Sequence, residues 1–135
     1  MKLLLASNSP RRKELLRDLG YTYETVSISC EETFPEELAA AEVAGYLADL
    51  KSFAYHNLQT NEILLTADTV VVFENKLLGK PKNENEAKEM LRLLSGNVHH
   101  VYTGITLRSL NNKKSATDCA AVYFEPISEN EIDRY

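Results

Sequence analysis

One run, Ile63-Leu64-Leu65-Thr66-Ala67-Asp68-Thr69-Val70-Val71-Val72-Phe73, limits what this chain can become more than any other. Its two apolar stretches are short and are followed by the turn-forming pair Glu74-Asn75, which is how buried strands read. The chain is therefore expected to build a sheet. The polar Thr66 to Thr69 segment should lie between two strands or at the end of one. Asp68 stands out within it, because an ionised carboxylate beside a buried strand is costly unless it is paired or bound to metal. Two readings fit that position. One is a strand-end aspartate that satisfies loop N–H groups. The other is a carboxylate that holds a divalent ion or takes a proton from water.

The rest of the pattern alternates strands and helices. Lys2 to Ala6 reads as a buried strand. Ser9-Pro10 opens a helix, with Ser9 as N-cap and Pro10 at the first helical position. Leu15, Leu16 and Leu19 form its apolar stripe, and Gly20 stops it. Tyr21 to Ile28 is β-prone, and residues 29–35 form a loop. Glu36 to about Asn57 is alanine-rich and helical, with Gly45 as a possible break. Asn83 to Ser95 is an amphipathic helix with Ala87, Met90, Leu91 and Leu94 on one face. Val98–Leu110 and Lys114–Phe124 form a long hairpin across Asn111-Asn112-Lys113. Ser128-Glu129-Asn130-Glu131 is a capping box that starts a last helix, one without an apolar face to dock. This order predicts an α/β fold with a mixed sheet.

Length and composition narrow the function classes. The 135 residues fit one domain, and 44% of them are hydrophobic, enough for a real core. A net charge of -5 opposes non-specific nucleic-acid binding across the surface. Cys30 and Cys119 lack metal-type spacing and read as free thiols. The N-terminal apolar run is too short for a signal peptide, and no segment has the length to cross a bilayer, so a cytoplasmic location without membrane contact is expected.

Three further segments carry chemistry. Ser7-Asn8-Ser9-Pro10-Arg11-Arg12-Lys13 joins a strand end to a helix N-terminus, where free N–H groups and the helix dipole favour an anion. Cations at that end of a helix are mildly unfavourable, so Arg11, Arg12 and Lys13 ask for a phosphate; the bland alternative is a solvated helix face. Gly79-Lys80-Pro81 could project Lys80 at a phosphate, but it lacks P-loop spacing, and taken alone an exposed turn lysine explains it better. His99-His100 is no metal pair, since adjacent strand residues point to opposite faces. Thr103-Gly104 marks a close approach of backbone.

Together and in order, Ser7-Asn8-Ser9-Pro10-Arg11-Arg12, Glu31-Glu32, Leu47-Ala48-Asp49-Leu50-Lys51, Ala67-Asp68-Thr69-Val70-Val71, Leu78-Gly79-Lys80-Pro81, Met90-Leu91 through Leu94-Ser95-Gly96, and His100-Val101-Tyr102-Thr103-Gly104 resemble the Maf family, also described as septum formation inhibitor proteins. The resemblance spans nearly the whole chain. It implies an elongated mixed sheet flanked by helices, similar to inosine triphosphate pyrophosphatases, and often a homodimer. It also implies a hydrolase dependent on Mg²⁺ or Mn²⁺ that cuts the α–β phosphoanhydride of a nucleoside triphosphate. Asp68 would then be the catalytic proton acceptor, and Glu32 and Asp68 the metal side. Ser7, Arg12, Lys51 and Lys80 would hold phosphates. Arg11 and Thr69 match positions that separate family branches by base preference, and here they resemble the dTTP/UTP branch; a 7-methyl-GTP branch carries tryptophan and glutamine instead.

The family pattern continues with Asp-Lys-Ala-Gly and Tyr-Gly-Ile-Gln motifs that these 135 residues do not contain. Residues 1–135 are therefore expected to be a single Maf-like domain lacking its C-terminal segment. Two rivals remain: a pyrophosphatase for damaged purine nucleotides, and a nucleotide-binding regulator of cell division without turnover.

Overall fold

The computed structural model describes residues 2–7, 9–79 and 81–134. The chain is a mixed α/β fold in the order β1 (Lys2–Ala6), α1 (Pro10–Asp18), β2 (Glu24–Thr25), a 3₁₀ turn (Ala40–Glu42), α2 (Val43–Phe53), β3 (Glu62–Phe73), β4 (Lys76–Leu78), α3 (Glu84–Leu94), β5 (Val98–Arg108), β6 (Lys113–Tyr123) and α4 (Glu129–Arg134). The hydrogen-bonded strand order is β2-β1-β3-β5-β6, with β4 pairing β3 off that path. The chain divides into two compact units, one of residues 1–69 and 103–118, the other of residues 70–102 and 119–135.

In the first unit β1 lies between two parallel neighbours, β2 and β3, with Ala6 opposite Thr66. Leu4 and Leu5 point to opposite faces and are both buried, as a central parallel strand requires. Leu4, Leu58 and Leu64 form one cluster, onto which Val26, Ile28 and Tyr55 pack. Val43, Ala44, Leu47 and Ala48 are the buried face of α2.

Several expectations change here. The 63–73 run is one continuous strand, not two. Thr66 and Thr69 are β-branched and suit a strand, and the buried Thr66 hydroxyl donates to the Ala48 carbonyl at 2.8 Å, so its polarity is satisfied. Asp68 accordingly stands inside a strand rather than at its end. The stretch 21–28 pairs only at Glu24–Thr25; beyond it Val26 and Ile28 meet their apolar demand by burial instead of by a ladder. The 36–57 helix is confined to Val43–Phe53. A turn from Pro35 delays its start, and Gly45 does not break it. Its last carbonyls are taken by Arg108, whose Nη2 donates to Ser52 O at 2.6 Å and Tyr55 O at 2.7 Å. In α1, Leu15 and Leu19 are exposed rather than buried.

In the second unit Glu74 and Asn75 both adopt positive φ, closing a tight turn that pairs Val71–Phe73 with the unforeseen strand β4. The N-cap Asn83 accepts from the Glu86 N–H, and Gly96 follows α3 at positive φ. The last helix does have something to dock: Ile132 of α4 is buried, and Glu129 receives the Arg92 guanidinium of α3. No helix among the described residues is long and apolar enough to cross a membrane.

Candidate active site

The expected site residues that are described lie just after β1 (Ser7), in the first turn of α1 (Arg11, Arg12), in the loop after β2 (Glu32), in the last turn of α2 (Lys51) and within β3 (Asp68, Thr69). Ser9 caps α1 by accepting the Arg12 N–H, Pro10 stands at the first helical position, and no acidic residue occupies the first turn. That geometry turns the Arg12 side chain back over the strand end. Its Nη1 donates to Ser7 Oγ at 3.2 Å, and its Nη2 donates to Thr69 Oγ1 at 2.7 Å. Thr69 Oγ1 is also 3.3 Å from Thr103 Oγ1 on β5. Ser7, Arg12, Thr69 and Thr103 thus form one chain of side-chain hydrogen bonds.

The second group lies at the C-terminal end of α2. Lys51 Nζ is 2.7 Å from Glu32 Oε1 and 3.6 Å from Asp68 Oδ1. Lys51 stands in the last turn of its helix, where the dipole favours a cation. Asp68 is only 19% exposed, so its pairing is less screened than that of a surface carboxylate. Asp68 Oδ1 also accepts the Thr69 N–H at 2.9 Å. Asp68 therefore satisfies a backbone N–H of its own strand, not of a loop, and pairs with the Lys51 ammonium. Asp68 and Thr69 are consecutive on β3, and the Thr69 N–H bond to Asp68 Oδ1 is the direct connection between the two groups.

Arg11 is exposed on α1, and among the described residues its side chain joins neither group. Lys80 lies outside the described residues. Sequence reasoning missed Thr103 as a partner of Thr69, because cross-strand neighbours depend on a β3–β5 register that no local motif displays. The expected close approach at Gly104 is present: a Cβ there would stand 2.5 Å from the Ala44 carbonyl carbon and oxygen and from the Gly45 nitrogen.

The histidine pair behaves as strand alternation demands. His99 is buried and stacks edge-on against Phe124, with centroids 4.9 Å apart, and His100 is exposed. Burial, and then the nearby His100, push the His99 pKa below its ordinary value. No group of three or more His, Cys, Asp or Glu residues converges on a metal position among the described residues. The donor set that does converge is Glu32 with Asp68, whose carboxylates share the Lys51 ammonium.

The chain matches the family described as Maf-like protein over residues 2–135. It belongs to the Maf family. Among similar proteins, the dTTP/UTP pyrophosphatase of Phocaeicola vulgatus is 44% identical over 136 residues, covering 99% of this chain and 70% of the relative. That of Bacteroides thetaiotaomicron is likewise 44% identical, with 99% and 70% covered. That of Bacillus pumilus is 42% identical over 134 residues, with 99% and 71% covered. Among solved structures, the Staphylococcus aureus Ham1 protein superposes with a TM-score of 0.63 at 15% identity, covering 91% of this chain and 71% of that one. A HAM1 protein from Coxiella burnetii gives 0.55 at 20% identity, covering 91% and 72%. At those identities the structural likeness speaks for the fold alone. In this Maf chain the motifs expected from sequence thus occur on the expected kind of mixed sheet.

Proposed function

We propose that this Maf-family chain is a nucleoside triphosphate pyrophosphatase that hydrolyses dTTP and UTP to the monophosphate and pyrophosphate. The observation that carries the proposal is the convergence of Glu32 and Asp68 on one cation position, Lys51 Nζ, with the Arg12 guanidinium held at the neighbouring residue Thr69. The identities of 42–44% to proteins named dTTP/UTP pyrophosphatase support the substrate assignment.

The residues fit the chemistry. A triphosphate needs cations, and Lys51 and Arg12 supply them, with Ser7 as a hydroxyl donor. Two carboxylates suit Mg²⁺, which takes one or two protein carboxylates together with substrate phosphates. Glu32 and Asp68 would hold such an ion, which when bound would neutralise phosphate charge and acidify water. Asp68 accepts the proton of the attacking water. The water oxygen bonds to the α-phosphorus, the α–β bridging bond breaks, and pyrophosphate leaves. Because phosphoryl displacement gains mostly from positioning and charge neutralisation, preorganised cations do most of what the reaction needs. A cytoplasmic homodimer is part of the same reading.

The test is pyrophosphate release from dTTP, UTP, CTP, ATP and GTP with Mg²⁺, on these 135 residues and on a C-terminally extended chain. Release from dTTP and UTP that chelation by EDTA stops is the expected result. Binding of these nucleotides without release by the extended chain would replace the enzyme reading with a regulatory one.

A further inference from the structure

We propose that Thr103 is a positioning residue that fixes the direction of the Thr69 hydroxyl, making the Arg12–Thr69 edge a recogniser of oxygen acceptors only. The inference rests on the proposed nucleotide substrate. It starts from three distances: Arg12 Nη2 to Thr69 Oγ1 is 2.7 Å, Thr69 Oγ1 to Thr103 Oγ1 is 3.3 Å, and Arg12 Nη1 to Ser7 Oγ is 3.2 Å.

A threonine hydroxyl has one hydrogen to give and two lone pairs to receive. Arg12 can only donate, so it fills one lone pair of Thr69. When the Thr103 hydroxyl donates as well, the second lone pair is filled. The Thr69 hydrogen is then the only group that oxygen can offer a ligand. Thr69 is exposed, so that hydrogen is open to solvent and to a bound molecule, while Thr103 is half-buried behind it. The remaining N–H groups of Arg12 also donate. Arg12 and Thr69 thus present only hydrogen on this edge, and neither can accept from an amino group.

The ligand chemistry follows. Such an edge binds an oxygen acceptor and rejects an amine. In a pyrimidine nucleotide the acceptor is either a phosphate oxygen or the ring carbonyl at position 4, which uracil and thymine share and which cytosine replaces with an amino group. Without the Thr103 hydroxyl, Thr69 Oγ1 regains a free lone pair and can rotate to accept from an amine.

The experiment is calorimetric binding of α,β-methylene UTP, α,β-methylene CTP and inorganic pyrophosphate, with Mg²⁺, to the native chain, Thr103→Val and Thr103→Ser. Valine keeps the shape and the strand preference but removes the hydroxyl. Thr103→Val should weaken the UTP analogue by about two- to tenfold, the range of one hydrogen bond, and Thr103→Ser should restore it. If the UTP analogue weakens while the CTP analogue does not, the acceptor is the base carbonyl. If both analogues and pyrophosphate weaken by the same factor, the acceptor is a phosphate oxygen. Unchanged binding of all three to Thr103→Val overturns the inference, as does a loss that Thr103→Ser fails to reverse, which would assign the effect to packing. A native chain that binds none of the three overturns the proposed function along with it; a native chain that binds them while Thr103→Val behaves identically overturns this inference alone.

Discussion

The Lys51 ammonium lies 3.6 Å from an Asp68 carboxylate oxygen, and both side chains are less than a quarter exposed. The pairing holds the Asp68 carboxylate in place beside the strand core. Asp68→Asn keeps the shape and the capacity to accept the Thr69 N–H, yet removes the basic oxygen. Pyrophosphate release from dTTP and UTP should fall by about 10²–10⁴-fold, the usual contribution of a general base. Nucleotide binding should be much less affected. Steady-state rates together with calorimetry test this, and a variant that turns over at the native rate would remove Asp68 from the chemistry.

Arg12 contacts Ser7 through one terminal nitrogen and Thr69 through the other. Lysine conserves the charge but is a single point and cannot hold both hydroxyls. Arg12→Lys should therefore raise KM for UTP by about tenfold, near 1.4 kcal/mol, with a smaller change in kcat. An equal loss in Arg12→Lys and Arg12→Gln would show that the fork geometry matters; full activity in Arg12→Lys would show that charge alone suffices.

Gly104 sets how closely β5 approaches the start of α2. The atoms that would meet an added Cβ, 2.5 Å away, belong to the backbone at Ala44 and Gly45, which cannot swing aside as a side-chain tip can. Gly104→Ala should cost about 1–3 kcal/mol, toward the upper end of the range for overpacking. Urea unfolding of the two chains measures it, and a change below ~0.5 kcal/mol would mean that the strand and helix separate without penalty.

Asp49 ties α2 to β5 and β6. Burial raises its pKa, but hydrogen bonds from Thr106, Lys113 and Ser115 outweigh that and hold it below the ordinary value of 3.8. The folded pKa is depressed, so the stabilisation is complete above the ordinary carboxylate value and is lost as pH falls through the lowered one. Asp49→Asn should lower Tm at pH 7, and the gap to the native chain should close as the pH drops below about 4. A gap that persists unchanged to the acid limit would assign the effect to shape rather than charge.

Local chemistry alone determined β1, the Ser9 cap with Pro10, the stops at Gly20 and Gly96, the Asn83 helix and the family motifs, because each depends on residues a few positions apart. Even the isolation of His99 from His100 followed from strand alternation. The two apolar flanks of Asp68 could not show that they belong to one strand, since the buried Thr66 hydroxyl needs the Ala48 carbonyl of a distant helix. Nor could the chain order show that Leu15 and Leu19 stay exposed while Ile132 is buried. Above all, sequence named Glu32, Lys51 and Asp68 without saying that one ammonium lies between two carboxylates, and named Thr69 without its partner Thr103. Periodicity and capping act over one turn of helix or two residues of strand; register and helix packing are decided by which distant surfaces bury each other, and only the folded chain holds that information.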